Sequence, residues 1–389
     1  MRVAILILNY NGRDLLEECL PSVLHAAQQS RYECHVILID NDSSDESLEF
    51  LAATFPEVEV LPRPNRGLCS FNDVIEGASG DFDYPVALLL NNDLKLASGA
   101  IDPLVEPFHV RAGHNDDQNA PAVFLSAPLC WQFDGVTCEG FKTAVRWRYG
   151  LVQATGRFPG HQRAIRVPGE TACAGAALAV NCQLFRELGG FDPLYLPGRI
   201  EDLDLAYRAW QRGWSLRYVP DAIAFHKGQV SFGREHGKQG CDHLAWRNTL
   251  LFQWKNLRSR RSQVRQLFGC GLRIARDLVT APLRSNKQRW EFLRAWLEAR
   301  RLWKTRGVEQ RTRNSSTPRN RRRVEIEREL EFFQRFSQQT LLSESRGQAI
   351  EYPATSDPTL NAEQIISGNM PGTSPENRPA FLSGVQGGR

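Results

Sequence analysis

The chain has 389 residues, 42% of them hydrophobic, and a formal net charge of +4. Its mean hydropathy of −0.40, with no apolar run near the roughly 18 residues of a spanning helix, argues against an integral membrane protein. The nine cysteines are odd in number, scattered and free of any C-x-x-C pair, so neither a zinc site nor a disulfide framework is expected.

Met1–Leu8 is too short for a signal-peptide core and runs into polar Asn9-Tyr10-Asn11-Gly12, so it is expected to be a first buried strand of a cytoplasmic protein. Val3–Leu8, His35–Asp40, Val58–Leu61 and Val86–Leu90 are apolar and of strand length. Between them, Arg13–Gln29, Ser44–Thr54 and Leu68–Ala78 have helical character, the second with Ser44 and Asp45 at a capped start. This alternation, with near-continuously apolar strands, predicts a mostly parallel α/β sheet with helices on both faces. Ligands in such sheets bind beyond the carboxyl ends of the strands. Three acceptor-rich tips should therefore meet there: Asn9–Gly12, Asp40-Asn41-Asp42-Ser43 and Asn91-Asn92-Asp93.

Residues 113–170 give no clear periodicity beyond a strand over Pro121–Ala127. Further on, Ala174–Val180 predicts a strand, Gln183–Leu188 and Glu201–Arg212 helices, and Leu216–Val219 and Ala222–Phe225 two more strands. Leu244–Trp303 is helical, aromatic and basic; from Lys255 to Arg323 basic residues outnumber acidic ones about fivefold. Val324–Leu341 predicts one more helix, and the Ser-, Pro- and Gly-rich remainder a disordered tail.

Several residues suit diphosphate chemistry. A divalent cation such as Mg²⁺ or Mn²⁺ needs oxygen ligands, often one or two carboxylates plus the phosphates themselves. Asp93, at a strand end, can supply one; the bland alternative is a turn rich in Asn and Asp. Glu201 and Asp202 point about 100° apart on a helix, so one can face a site while the other holds a neighbour or caps the helix, and Asp204 and Arg208 are spaced for an ion pair. An acidic first turn that complements the helix dipole is the competing explanation. His226 closes an apolar strand and could complete a metal sphere, although a lone histidine is more often structural. Asn65-Arg66-Gly67, ahead of a helix with Asn72, could approach an anion closely. There is no G-x-G-x-x-G, no G-K-[ST] loop and no G-x-S-x-G elbow.

Taken together, Leu8–Gly12, Ile39–Asp45, Asn65–Gly67 with Asn72, Leu90–Asp93, Gly175–Leu178, Gly189-Gly190-Phe191-Asp192, Glu201–Asp204 and His226 resemble the family 2 glycosyltransferases of GT-A fold, particularly their rhamnosyltransferase-like branch. The resemblance covers roughly residues 2–257. It implies a Rossmann-like GT-A domain over 1–257, followed by a basic helical extension at 258–342 and a disordered tail at 343–389. It implies a nucleotide-sugar donor and a saccharide or lipid-linked acceptor, joined by inverting, metal-assisted transfer in cell-surface polysaccharide or glycolipid synthesis. Tyr10 and Asn11 would line the nucleotide pocket, Asp40 and Asn41 would contact the base, and Asn91 would sit near the ribose or diphosphate. Asn65, Gly67, Asn72 and Asn92 would complete the donor site. Asp93 and His226 would hold the metal, Asp202 would be the base, and Glu201 and Asp204 would support it.

Two features depart from the family pattern. Asn91 stands where the usual Asp-x-Asp begins with a carboxylate, and 113–170 match nothing familiar, so acceptor choice is expected to reside there. A catalytically impaired nucleotide-sugar-binding or scaffold protein, and a sugar nucleotidyltransferase, are the alternatives; the second lacks the Gly-rich basic loop it needs. In the basic region, Leu267, Leu272, Ile274, Leu278 and Leu283 could form an apolar face opposite Arg265, Arg273, Arg276 and Arg284. Such a helix suits either an anionic membrane surface, giving peripheral attachment, or packing with a solvated Arg face. No nucleic-acid module accompanies the charge, so no nucleic-acid partner is expected.

Overall fold

The computed structural model describes residues 1–77, 82–109, 121–228, 230–283, 290–306 and 318–344. The strands are β1 (Arg2–Asn9), β2 (Glu33–Asp40), β3 (Glu59–Pro62), β4 (Val86–Asn91), β5 (Leu94–Leu96), β6 (Val123–Gln132), β7 (Cys138–Gly140), β8 (Ala144–Arg148), β9 (Leu151–Thr155), β10 (Gly169–Glu170), β11 (Ala177–Asn181) and β12 (Ser215–His226). The helices are α1 (Arg13–Gln29), α2 (Ser47–Thr54), α3 (Ser70–Ile75), α4 (Ile101–Val105), α5 (Cys182–Leu188), α6 (Glu201–Gln211), α7 (Val230–Asn256), α8 (Arg260–Thr280), α9 (Glu291–Thr305), α10 (Arg319–Arg335) and α11 (Gln338–Glu344).

The main sheet runs β10-β12-β6-β11-β4-β1-β2-β3, with β5 added to β12 and β7 to β6. β3, β2, β1 and β4 are parallel, and β6 and β12 are parallel to each other, with antiparallel β11 between the two groups. The continuous apolar runs follow from burial on both faces. Ala4, Leu6, Ala87 and Leu89 point to the core under α3, α5, α6 and α7, while Val3, Ile5, Ile7, Leu88 and Leu90 point to the core under α1, α2 and α4. Each fully buried Leu or Ile here contributes about 1.5–3 kcal/mol.

Register gathers the tips. Asn9 lies opposite Asp40, and Leu8 opposite Asn91, so three strands end level at one edge of the sheet. After β4 the chain doubles back into β5, which pairs with the far end of β12 and sets Leu94 opposite His226. That short return brings Asp93 beside His226 although they are far apart in sequence.

Several expectations change. The two strands foreseen over Leu216–Val219 and Ala222–Phe225 are one strand with a register shift between Val219 and Ile223, because Pro220 cannot donate to the ladder but the chain continues past it. The helix expected from Ser44 begins at Ser47; Asp45 accepts from the Ser47 backbone and from Arg13 N–H instead of lying inside the first turn. The unread stretch contains β7 and the hairpin β8–β9. The helical region after 257 packs on the same core: Phe332 of α10 and Phe336 just past its end are buried against Tyr207 and Trp210 of α6. The expected disordered tail lies, from residue 345 on, outside the described residues. Among the described residues no helix is long and apolar enough to cross a membrane, and all nine cysteines are free.

Candidate functional site

The three tips are tied together by side-chain amides. Asn9 Nδ2 donates to Asp40 Oδ1 (3.1 Å) and Ser43 Oγ (3.2 Å), and Asn92 Nδ2 donates to Asn9 Oδ1 (2.8 Å). Ser43 returns its hydroxyl and N–H to Asp40, and Asn11 accepts from Ser44 N–H at 2.7 Å. Asn9, Asp40, Asn41 and Asn92 are all buried, so these bonds make the edge rigid at little cost in unpaired polar groups. A side chain at Gly12 would collide with Asn92, its Cβ lying 2.0 Å from Nδ2. One atom is left over: Asn41 Oδ1 is buried with no donor, while its Nδ2 donates to Gly67 O at 3.2 Å. Gly67 has a left-handed φ of 52°, and a Cβ there would stand 2.9 Å from Pro197 O. Asn65 turns that corner by accepting from Gly67 N–H. Tyr10 is half-buried beside this edge.

Asp93 is buried at the end of the β4 tip, with Oδ1 3.0 Å from His226 Nε2. The other ring nitrogen of His226, Nδ1, lies 2.9 Å from Glu139 Oε1. Burial lowers the imidazole's proton affinity, yet the flanking carboxylates of Asp93 and Glu139 outweigh it and push the pKa to about 9. His226 thus sits between two carboxylates, Asp93 at Nε2 and Glu139 at Nδ1. Among the described residues no three His, Cys, Asp or Glu side chains surround a common point. Asp93 Oδ1 and His226 Nε2 are two candidate donors to a divalent cation at this edge.

The third component is the start of α6. Glu201 and Asp202 sit side by side and half-buried. Burial raises both carboxyl pKa values, and the charge of Asp202 raises Glu201 further. Leu203 N–H (2.7 Å) and the Cys173 thiol donate to Asp202 and favour its charged form. The two carboxyls therefore titrate together as one pair. Asp202 and Asn91 line one small cavity, closed by Gly175, Ala176, Phe191 and Leu68. The β4 tip and the α6 start accordingly face a common space.

The approach to α6 is strained. Arg199 (φ 80°) and Ile200 (φ 73°) are consecutive non-glycine residues in the left-handed region, which costs on the order of 1–3 kcal/mol each. Helix α7 holds them there. Asn248 Nδ2 donates to the carbonyls of Tyr195 (2.7 Å), Gly198 (2.7 Å) and Arg199 (2.9 Å), and Arg247 donates to Leu196 O at 2.6 Å. We expect Asn248→Ala to cost about 2 kcal/mol of stability, from carbonyls left without their donor, and to lower turnover more than donor affinity. Urea unfolding together with separate kcat and KM values checks this; unchanged kcat would mean the strained loop does not position Asp202.

Two predicted site residues serve structure instead. Asn72 is buried with its Oδ1 accepting from Phe191 N–H (2.9 Å) and its Nδ2 donating to Phe191 O (2.8 Å); it clamps the Gly189–Asp192 loop. Gly190 makes that possible, since a Cβ would lie 2.2 Å from Asn72 Oδ1. Asp204 points away from the cavity into a buried cluster with Tyr195, Arg208, Lys255 and Asn256, which includes the expected pair with Arg208 at 2.6 Å. Asn9, Glu139 and Asn248 were not foreseen. Asn9 was recognisable as the first residue of its tip; the other two have no local signature.

Residues 4–120 match the family model described as Glycosyl transferase family 2. This protein is also similar to individual glycosyltransferases. It is 24% identical over 261 residues to "N-acetylglucosaminyl-diphospho-decaprenol L-rhamnosyltransferase" of Mycobacterium tuberculosis (strain ATCC 25618 / H37Rv), covering 62% of this chain and 80% of that protein. The crystal structure of GalNAc-T7 with UDP, GalNAc and Mn²⁺ is similar with a TM-score of 0.48 and 21% identity, over 65% of this chain and 48% of that one. The chain thus spans about half the length of that structure. The mannosyltransferase PcManGT from Pyrobaculum calidifontis, in complex with GDP-Man and Mn²⁺, is similar with a TM-score of 0.43 and 15% identity, over 85% and 86% of the two chains.

Proposed function

We propose that this protein transfers a sugar, with inversion, from a nucleoside-diphosphate donor to a hydroxyl of a saccharide or lipid-linked acceptor. The observation that carries this reading is the meeting of Asp93 and His226 at the sheet edge whose neighbouring tip residue, Asn91, shares a cavity with Asp202. Tyr10, Asn11, Asp40 and Asn41 would form the nucleotide end of the site. Asn41 Oδ1, a buried acceptor without a donor, suits a ring N–H of a base. Asn65 and Gly67 would close that end, and Asn91 and Asn92 would hold the ribose or diphosphate side by amide contacts rather than charge.

Asp93 and His226 would hold a divalent cation, with Glu139 orienting the imidazole. Bound there, the ion would neutralise charge on the departing diphosphate. The protein's own chemistry is proton transfer. Asp202 takes the acceptor hydroxyl proton as that oxygen bonds to the anomeric carbon, and the bond from this carbon to the diphosphate oxygen breaks. One displacement gives inversion and needs no covalent nucleophile. Cys173, which touches Asp202, is unsuited to that role because burial pushes its thiol well above the ordinary range.

The Mycobacterium relative is named for a diphospho-decaprenol carrier and L-rhamnose. The same class of lipid-linked acceptor is our reading here, with a role in cell-surface polysaccharide or glycolipid synthesis. Calorimetry with uridine, guanosine and thymidine diphosphates in Mn²⁺ tests the donor site. The wild type should bind at least one of them, and Asp93→Ala should weaken that binding about 10–100-fold. Equal affinity with and without Asp93 would remove it from the metal site.

A further inference from the structure

Helix α8 is packed with the wrong side inward for a soluble protein. The residues it buries are Ser262, Gln266, Gly269, Cys270, Arg273 and Asp277, small or polar groups. Its apolar stripe at helical spacing faces outward: Val264, Leu267, Phe268, Leu272, Leu278 and Val279. Leu267 is 73% exposed, Phe268 69% and Val279 75%. The stripe is about 22 Å long at 1.5 Å per residue. Of the apolar face read from the sequence, Leu267, Leu272 and Leu278 are exposed among the described residues, while Ile274 packs on the core.

The helix cannot simply roll over to hide that stripe. Gly269 backs onto the β8–β9 turn so closely that a Cβ would stand 2.2 Å from Gly150 Cα. Arg273 donates to the carbonyls of Tyr149 (3.0 Å) and Arg148 (3.1 Å), and Asp277 accepts from Phe292 N–H at 3.0 Å. These contacts lock the inward side. Tyr149 itself, 67% exposed beside the helix, extends the outward surface with an amphipathic ring.

Charge selects the occupant. Arg260, Arg261, Arg265 and Arg276 are exposed on α8, and its one acidic residue, Asp277, is buried. A second copy related by a two-fold axis would set arginines against arginines with no acid on the face to balance them. A planar anionic surface with an apolar interior accepts both features at once.

We infer that α8 lies in the headgroup region of an anionic lipid bilayer, with Leu267 and Phe268 inserted and the arginines among the lipid phosphates. This deepens the proposal of a lipid-linked acceptor by naming the surface that would bring the enzyme to it, but it stands on separate observations. The test is flotation of the full chain with vesicles of phosphatidylcholine alone or mixed with phosphatidylglycerol. The protein should float with the mixed vesicles at low salt and be released as salt rises. The double variant Leu267→Glu, Phe268→Glu should lose at least about tenfold in partitioning. The idea is overturned by a wild-type chain that ignores mixed vesicles at low salt, or by a double variant that floats as well as the wild type. It is also overturned if the wild type is a dimer in solution that the double variant dissociates, since the stripe would then join two copies. Nucleoside-diphosphate binding measured in parallel separates the two readings: its absence counts against the donor site and leaves the vesicle result standing.

Discussion

Replacing Asp202 by Asn is expected to leave nucleotide binding unchanged and to lower sugar transfer by about 10²–10⁴-fold. The amide keeps the shape of the side chain and can still accept from Leu203 N–H, 2.7 Å away in the wild type, but it cannot take a proton from the acceptor. The pH profile should change as well. Burial raises the Asp202 carboxyl above the ordinary aspartate value, so the wild-type rate should fall as pH drops through that raised value, because the base is then already protonated. In the Asn variant that limb of the profile should vanish. Release of free nucleoside diphosphate with acceptor present, followed against pH, measures both effects. A variant as fast as the wild type, or one that keeps the acid limb, would take the role of base away from Asp202.

Much of this site could be foreseen because buried parallel strands are apolar throughout, so their polar ends stand out. Asn9, Asp40 and Asn91 mark the ends of three such strands, and a parallel register must bring them level. His226 was visible for the same reason at the end of β12. Glu139 was not, since it lies on a three-residue strand attached to β6 across a register shift, and its meaning comes only from the imaginary line through His226 to Asp93. Asn248 was equally hidden. Its partners are backbone carbonyls about fifty residues earlier, and no side-chain pattern records a carbonyl. Asn72 gains a contact the sequence does not record: both ends of its amide bond to the Phe191 backbone. For α8 the period was legible and the buried side was not, because a close approach of Gly269 to Gly150, rather than hydrophobicity, decides which face turns inward.

Asp204→Ala should damage the fold itself. The wild-type carboxylate is fully buried and accepts from Tyr195 Oη (2.8 Å), Arg208 Nε (2.6 Å), Lys255 Nζ (2.8 Å) and Asn256 Nδ2 (2.7 Å). Burial alone would raise its pKa, but Lys255 and Arg208 outweigh that effect and hold the carboxyl well below the usual range. Removing it strands Lys255 in the interior with Asp192 as its remaining acidic neighbour, and breaking a buried charge cluster costs about 3–5 kcal/mol. Because the folded pKa is depressed, the stabilisation is complete at pH values above the unfolded value of 3.8 and is lost as pH falls through the folded one. The variant should therefore unfold at lower urea at pH 7 and lack the wild type's loss of stability as acid carries the pH down through that window. An unchanged urea midpoint at pH 7 would mean the cluster is energetically idle. The contrast with Asp202 is the informative part. Two residues apart on α6, one is expected to lose chemistry while keeping the fold, and the other to lose the fold and the chemistry with it, since α6 reaches the cavity only while α7 grips it through Lys255 and Asn256.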